Sequence, residues 1–198
     1  MRNRHSTRTP GHDYAADGWY FVTLNAHGRQ PLFGEIKNHR MVLSSFGQIV
    51  MDEWERTSVV RPNVTLDIYQ IMPDHFHAIL HISEDRKGAS RYVPGPEKER
   101  SSPFPGDHKG VSQYAPAAGK RIFRSPSNDL GAILRGFKSA STKTINILRG
   151  TPGIPVWQRN YYDHIIRDAG RELENIRRYI RLNPERFKGV SQYARTPG

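Results

Sequence analysis

The chain has 198 residues, enough for one domain with a substantial core and too few for two ordinary ones. It has no cysteine, which excludes disulfides and thiolate metal sites. No apolar run reaches membrane-spanning length and the first residues lack the apolar stretch of a signal peptide, so a cytoplasmic location and no membrane partner are expected. Thirty Lys and Arg against 19 acidic residues give a formal charge of +11, an excess that favours a polyanionic partner, most simply nucleic acid.

In chain order, residues 1–18 are polar, basic and turn-rich and read as an N-terminal arm without a core. Trp19-Tyr-Phe-Val-Thr-Leu-Asn-Ala26 is a strand by its β-branched and aromatic content. Residues 31–37 and 40–43, separated by Asn38-His39, form a short hairpin. Ser45 and Gln48 have the spacing of a capping box, and Phe46, Ile49, Val50 and Trp54 follow at helical spacing, predicting a helix over 45–57. A strand over 64–71 then meets a second strand across Pro73-Asp74.

Residues 84–127 are rich in Pro, Gly, Ser and charge and read as a flexible insertion. Within them Lys87-Gly-Ala-Ser-Arg-Tyr-Val-Pro and Lys109-Gly-Val-Ser-Gln-Tyr-Ala-Pro repeat one phrase, which returns at Lys188-Gly-Val-Ser-Gln-Tyr-Ala-Arg in the C-terminal tail, 188–198. The unequal spacing excludes a solenoid. Duplication of a short DNA repeat is the preferred explanation, and a Tyr-and-Lys peptide that stacks on bases is the functional alternative.

An apolar stripe of Leu130, Ile133, Leu134, Phe137, Ile145 and Leu148 predicts a helix over 129–149, with Arg135 and Lys138 near a second, basic face. Residues 156–168 enter as a strand at least in part, and a last helix over 169–182 packs Leu173, Ile176 and Ile180 before Asn183-Pro184. The order strand, helix, strand, strand, helix, strand is the ferredoxin-like βαββαβ arrangement: an α+β antiparallel sheet with helices on one face, here with an extra hairpin and a C-terminal tyrosine-bearing helix. One domain over 19–187 is expected.

The strand after Pro73-Asp74 carries the chemistry. Phe76, Ala78, Leu80 and Ile82 alternate, leaving His75, His77, Ile79 and His81 on the other face. Adjacent imidazoles on one face can share a metal ion, although a solvated polar face has the same pattern. On the last helix Tyr179 and Asn183 are four residues apart and so point together, offering a phenol nucleophile and an amide oxygen ligand. The plain alternative is a packing tyrosine and an ordinary helix stop.

Pro73-Asp-His-Phe-His77, Trp157-Gln-Arg-Asn-Tyr-Tyr-Asp-His-Ile-Ile-Arg167 and Tyr179-Ile-Arg-Leu-Asn-Pro184, in this order, resemble the single-tyrosine HUH transposases, above all the REP-associated tyrosine transposases. The resemblance spans about 14–187. Asn183 stands where many insertion-sequence relatives have Gln, as in the REP-associated branch.

It implies that His75, His77 and Asn183 hold Mg2+ or Mn2+, and that Tyr179 attacks single-stranded or hairpin DNA with palindromic repeats. The attack forms a 5′-phosphotyrosine, which a 3′-hydroxyl later reverses. Arg159, Arg167 and Lys138 are candidates to stabilise the phosphate charge, and with Arg135 to bind DNA. Both monomers and dimers occur among such relatives, and a homodimer is slightly favoured. Two other readings stay open: a non-catalytic binder of structured nucleic acid, and a zinc-dependent hydrolase using His81 as a third ligand.

Overall fold

The computed structural model describes residues 9, 11–83 and 129–187. The insertion at 84–127, its repeats, the tail at 188–198 and most of the N-terminal arm lie outside the described residues. Six strands and four helices follow in the order β1 (Gly18–Asn25), β2 (Gly34–Lys37), β3 (Arg40–Leu43), α1 (Ser45–Val60), β4 (Val64–Met72), β5 (His75–Ile82), α2 (Leu130–Leu148), β6 (Tyr162–Ile166), α3 (Arg171–Arg181) and α4 (Asn183–Arg186). A 3₁₀ turn, His27–Arg29, follows β1.

The main sheet has the order β4-β5-β1-β6 with every neighbour antiparallel, which is the expected ferredoxin-like topology. β2 and β3 form a separate two-stranded hairpin. Asn38 and His39 at its turn both have positive φ, 49° and 61°, the backbone a two-residue type I′ turn needs to match strand twist.

The alternation along β5 sorts its residues as the sequence predicts. Phe76, Ala78, Leu80 and Ile82 join Tyr20, Val22 and Leu24 of β1 in one core, closed by Val50 and Trp54 of α1 and by Ile133 and Phe137 of α2. The opposite face is not a solvated one. There Phe21, Ile79, Ile166, Leu173 and Ile180 form a second, smaller cluster beneath α3. Thus α1 and α2 cover one face of the sheet and α3 the other, leaving β5, between β4 and β1, buried on both.

Two local expectations need correction, and a third is borne out in part of its range. The cap of α1 is Ser44, one residue before the expected one: its hydroxyl accepts from Gly47 N at 3.1 Å and donates to Leu32 O at 2.7 Å. Gly47 is required there, because a Cβ would lie 2.1 Å from Phe33 O. The strand expected within 156–168 is only the five residues of β6, with Trp157 as an isolated bridge to Ala26. Finally, the end of the arm does reach the core: Tyr14 is buried and stacks on Tyr20 at 5.9 Å. An aromatic ring gains more from covering the sheet than its polar neighbours lose.

Candidate active site

The site begins at the β4–β5 turn. Its backbone is held from outside, with Ala26 N donating to Asp74 O and Phe33 N to Pro73 O. His75 and His77 then point to the α3 face, pairing across the sheet with Asn25 and Thr23 of β1. Their rings lie 4.7 Å apart at 79°, and both are buried.

Each imidazole has one nitrogen fixed. His75 Nδ1 donates to Asp74 Oδ1 at 2.6 Å. The other carboxylate oxygen of Asp74 accepts from Arg29 Nε at 2.9 Å, and Arg29 also donates to Asn25 Oδ1. His77 Nδ1 lies 2.8 Å from Thr23 Oγ1, while His77 Nε2 is buried with no hydrogen-bond partner. Burial, then the neighbouring His75, then the charge of Arg29 push the His77 pKa down to about 3, so this ring is neutral at physiological pH. In the tautomer whose Nδ1 donates to Thr23 Oγ1, the lone pair sits on the orphaned Nε2.

A buried polar atom without a partner costs about 1–3 kcal/mol. Here that atom has the chemistry of a metal ligand. A carboxylate behind one histidine and a hydroxyl behind the other are the outer partners that orient metal-binding imidazoles. The donor set therefore fits a divalent cation at His75 and His77.

α3 brings the tyrosine. Ile180 and Leu173 anchor the helix in the small cluster, and Arg177 binds Asp67 of β4 through Nε at 2.8 Å and Nη2 at 2.7 Å. At the other end Glu172 accepts from His164 Nε2 at 2.7 Å and from the backbone N–H groups of Arg167 and Asp168. Tyr179, beside the anchoring Ile180, is 43% exposed at the rim. Its ring stands 5.4 Å from that of His77 and edge-on to Phe21 at 6.1 Å, while Phe21 stacks on His77 at 5.6 Å. A phenol open to solvent thus touches the ring that carries the orphaned nitrogen.

The other predicted residues are distributed unevenly. Asn183 opens α4 one turn beyond Tyr179, partly exposed, and no hydrogen bond joins it to either histidine; Phe187, at the end of that turn, lies 6.3 Å from His75. His81 sits four residues along β5 from His77, against Trp19 and 3.1 Å from Asp17 Oδ1. No group of three or more His, Cys, Asp or Glu suited to a metal is present among the described residues. The third histidine that a zinc hydrolase requires is therefore engaged elsewhere.

Lys138 is on α2, across the sheet from Tyr179, and donates to Gln158 O and Arg159 O. Burial pushes its pKa down to about 8. It lines a cleft of about 460 Å³ with Thr142, Lys143 and the exposed Arg159. Gln158 joins that cleft to the site, since its N–H donates to Asn25 O at 2.8 Å. Arg135 is exposed on α2 and Arg167 at the turn into α3.

Arg29, Asp74, Thr23 and Asn25 escape the reading of the sequence. Thr23 and Asn25 did leave a signal, as alternating polar residues in an otherwise apolar strand. Arg29 left none, because its backbone alone brings it in. It is a non-glycine residue at φ 55°, a left-handed conformation that costs an L-residue about 1–2 kcal/mol.

This fold is shared with a tyrosine transposase of known structure. The structure of a REP-associated tyrosine transposase bound to a REP hairpin matches 98% of this chain and 81% of its own, with a TM-score of 0.53 and 17% identity. A Deinococcus radiodurans structure covers 88% of the chain at 12% identity, but its TM-score of 0.43 is too loose to bear on the fold. An uncharacterized protein of Haemophilus influenzae is 34% identical over 184 residues, 93% of this chain and 89% of that protein, and the chain belongs to the same family. No family model matches the chain.

Proposed function

We propose that the chain is a transposase that cuts and rejoins single-stranded or hairpin DNA through a covalent bond to Tyr179. The observation that carries this reading is the contact of an exposed tyrosine ring with His77, whose Nε2 is buried without a hydrogen-bond partner. A packing tyrosine needs no such neighbour, and a non-catalytic nucleic-acid binder needs neither.

His75 and His77, with the amide oxygen of Asn183, would hold the divalent cation. When bound, Mg2+ or Mn2+ supplies Lewis-acid polarisation of a phosphoryl oxygen and helps fix the phosphate. Imidazole nitrogens suit Mn2+ better than Mg2+, whose usual shell is oxygen.

The remaining steps belong to the chain's own side chains. Phe21 and His77 hold the Tyr179 ring, so its oxygen meets the phosphate in a fixed orientation. The Oη–P bond forms as the P–O3′ bond breaks. The phenol proton goes to solvent, and the departing 3′-oxygen takes up a proton. The result is a 5′-phosphotyrosine and a free 3′-hydroxyl; the reverse reaction with another 3′-hydroxyl rejoins a strand without a nucleotide cofactor. The formal charge of +11 favours the polyanion by counterion release, with Lys138, Arg159, Arg135 and Arg167 as candidate contacts. That a fold neighbour was solved with a REP hairpin supports a hairpin as the substrate to try first.

The test is a denaturing gel of the purified chain with a hairpin-flanked single strand and Mn2+. A protein–DNA adduct is expected that Tyr179→Phe abolishes while DNA binding persists. An adduct of equal yield from Tyr179→Phe would overturn the assignment of the nucleophile, and Tyr161 and Tyr162 would be tested next.

A further inference from the structure

Two of the cations favoured from the sequence for the phosphate charge are engaged or set apart from the histidine pair. Lys138 gives its ammonium to two carbonyls on the far side of the sheet, and Arg167 is exposed at the end of β6. The cation that does reach the histidine pair is Arg29, whose Nε lies 2.9 Å from the Asp74 carboxylate that His75 Nδ1 also meets.

Its placement is built rather than incidental. The Arg29 backbone is held in the left-handed region by the short turn after β1, where Arg29 N donates to Ala26 O at 3.0 Å. Its guanidinium is aligned by two fixed acceptors, Asp74 Oδ2 and Asn25 Oδ1, both on residues flanking His75 in the sheet or the chain. The pair is also polarised. Asp74 is 2% exposed, whereas the Arg29 side chain is 33% exposed. Strain kept at a site by surrounding contacts is a pointer to function once such an outlier has been observed.

We propose that Arg29 is a catalytic residue that meets the scissile phosphate and stabilises the charge developing on its non-bridging oxygens, with Asp74 and Asn25 as the positioning residues that aim it. This rests on Tyr179 as the nucleophile. A guanidinium suits the task because its donors and charge are fixed in a plane that matches phosphate oxygens. Asp74 then has two partners, orienting a metal-ligating imidazole with one oxygen and a phosphate-facing cation with the other.

The experiment compares the parent, Arg29→Met and Arg29→Lys in single-turnover adduct formation at saturating DNA and Mn2+. Mn2+ affinity is measured calorimetrically without DNA, and folding by thermal melting. Arg29→Met should slow the step about 100-fold or more, Arg29→Lys should recover part of it, and Mn2+ affinity should change by less than the rate. The decisive arm replaces the scissile phosphate by a neutral methylphosphonate, where the gap between the parent and Arg29→Met should close. A gap that persists on the neutral substrate, or a rate loss that only follows Mn2+ affinity, would make Arg29 a structural residue and overturn the proposal. Parent-like cleavage by Arg29→Met would do the same while leaving Tyr179 intact. Absence of any adduct from the parent would instead overturn the reading of Tyr179, and the proposal with it.

Discussion

On the α1/α2 face of the sheet, Trp54 packs edge-on against Phe76 at 5.0 Å and Phe137 at 5.2 Å, inside a continuous core of aliphatic and aromatic side chains. On the α3 face, five buried apolar residues share the surface with two buried imidazoles and a half-open tyrosine. Unpartnered atoms occur on both faces, because Trp54 Nε1 and Asp163 Oδ1 also lack partners. Among the described residues, only the ring of His77, however, packs against an exposed tyrosine. One face is packed throughout with apolar side chains, and the other shares its packing with two imidazoles and a tyrosine open to water. Functional sites are where such local departures from good packing are tolerated.

Substitutions on each face sharpen this contrast. The largest effect is expected from His77→Ala or His75→Ala, which should each lower adduct formation at least a thousandfold, about 4 kcal/mol in barrier. The fold should survive both, since neither ring belongs to the main core. Melting curves set beside single-turnover gels decide this, and an active His77→Ala would show that the two faces do not differ as described.

Trp54→Ala should do the opposite. It removes a fully buried indole at a cost of about 3–5 kcal/mol, a large part of the roughly 5–15 kcal/mol that holds a typical domain. Chemical denaturation should show the loss in the midpoint, and activity should fall only as the folded fraction does.

A smaller effect is expected at His81, which lies on the site face but is engaged by Asp17 and Trp19. His81→Ala should leave cleavage within about threefold, as expected for a surface side chain away from the site. Complete loss of cleavage, together with tightly bound zinc, would revive the hydrolase reading.

The smallest effect concerns how α3 is latched. Hydrogen bonds from His164, then from the Asp168 and Arg167 backbone, hold the Glu172 carboxyl down to about 2 from an ordinary 4.5. A depressed carboxyl stabilises the fold above its unfolded pKa, and that contribution fades as the pH falls from about 4.5 towards 2. The melting temperature of the parent should therefore exceed that of Glu172→Gln by a small, steady margin at neutral pH. The two curves should converge in acid. Because both partners are substantially exposed, the margin is small. A margin unchanged down to pH 2 would show that the latch does not depend on this charge.

Much of this protein is legible in the chain itself. Alternation along β5 separates Phe76, Ala78, Leu80 and Ile82 from the histidines, since a strand has period two whatever packs on it. The apolar stripe of α2 and the Asn38-His39 turn are equally local matters of periodicity and backbone preference. So is the placement of Tyr179 next to a buried Ile180, which the helical stripe of α3 dictates.

Where side chains from different elements meet is another matter. Nothing in residues 19–29 says that Thr23 will back His77, that Asn25 will stand beside His75, or that a left-handed Arg29 will close on Asp74. Those pairings depend on the register of β1 against β5 and on a turn whose strain only the assembled sheet can hold. Ser44 rather than Ser45 caps α1 for the same reason, because the approach of the Phe33 backbone sets where the helix begins. Local patterns are written in neighbouring residues and can be read there. The buried polar network arises only when distant segments are brought together and water is excluded between them.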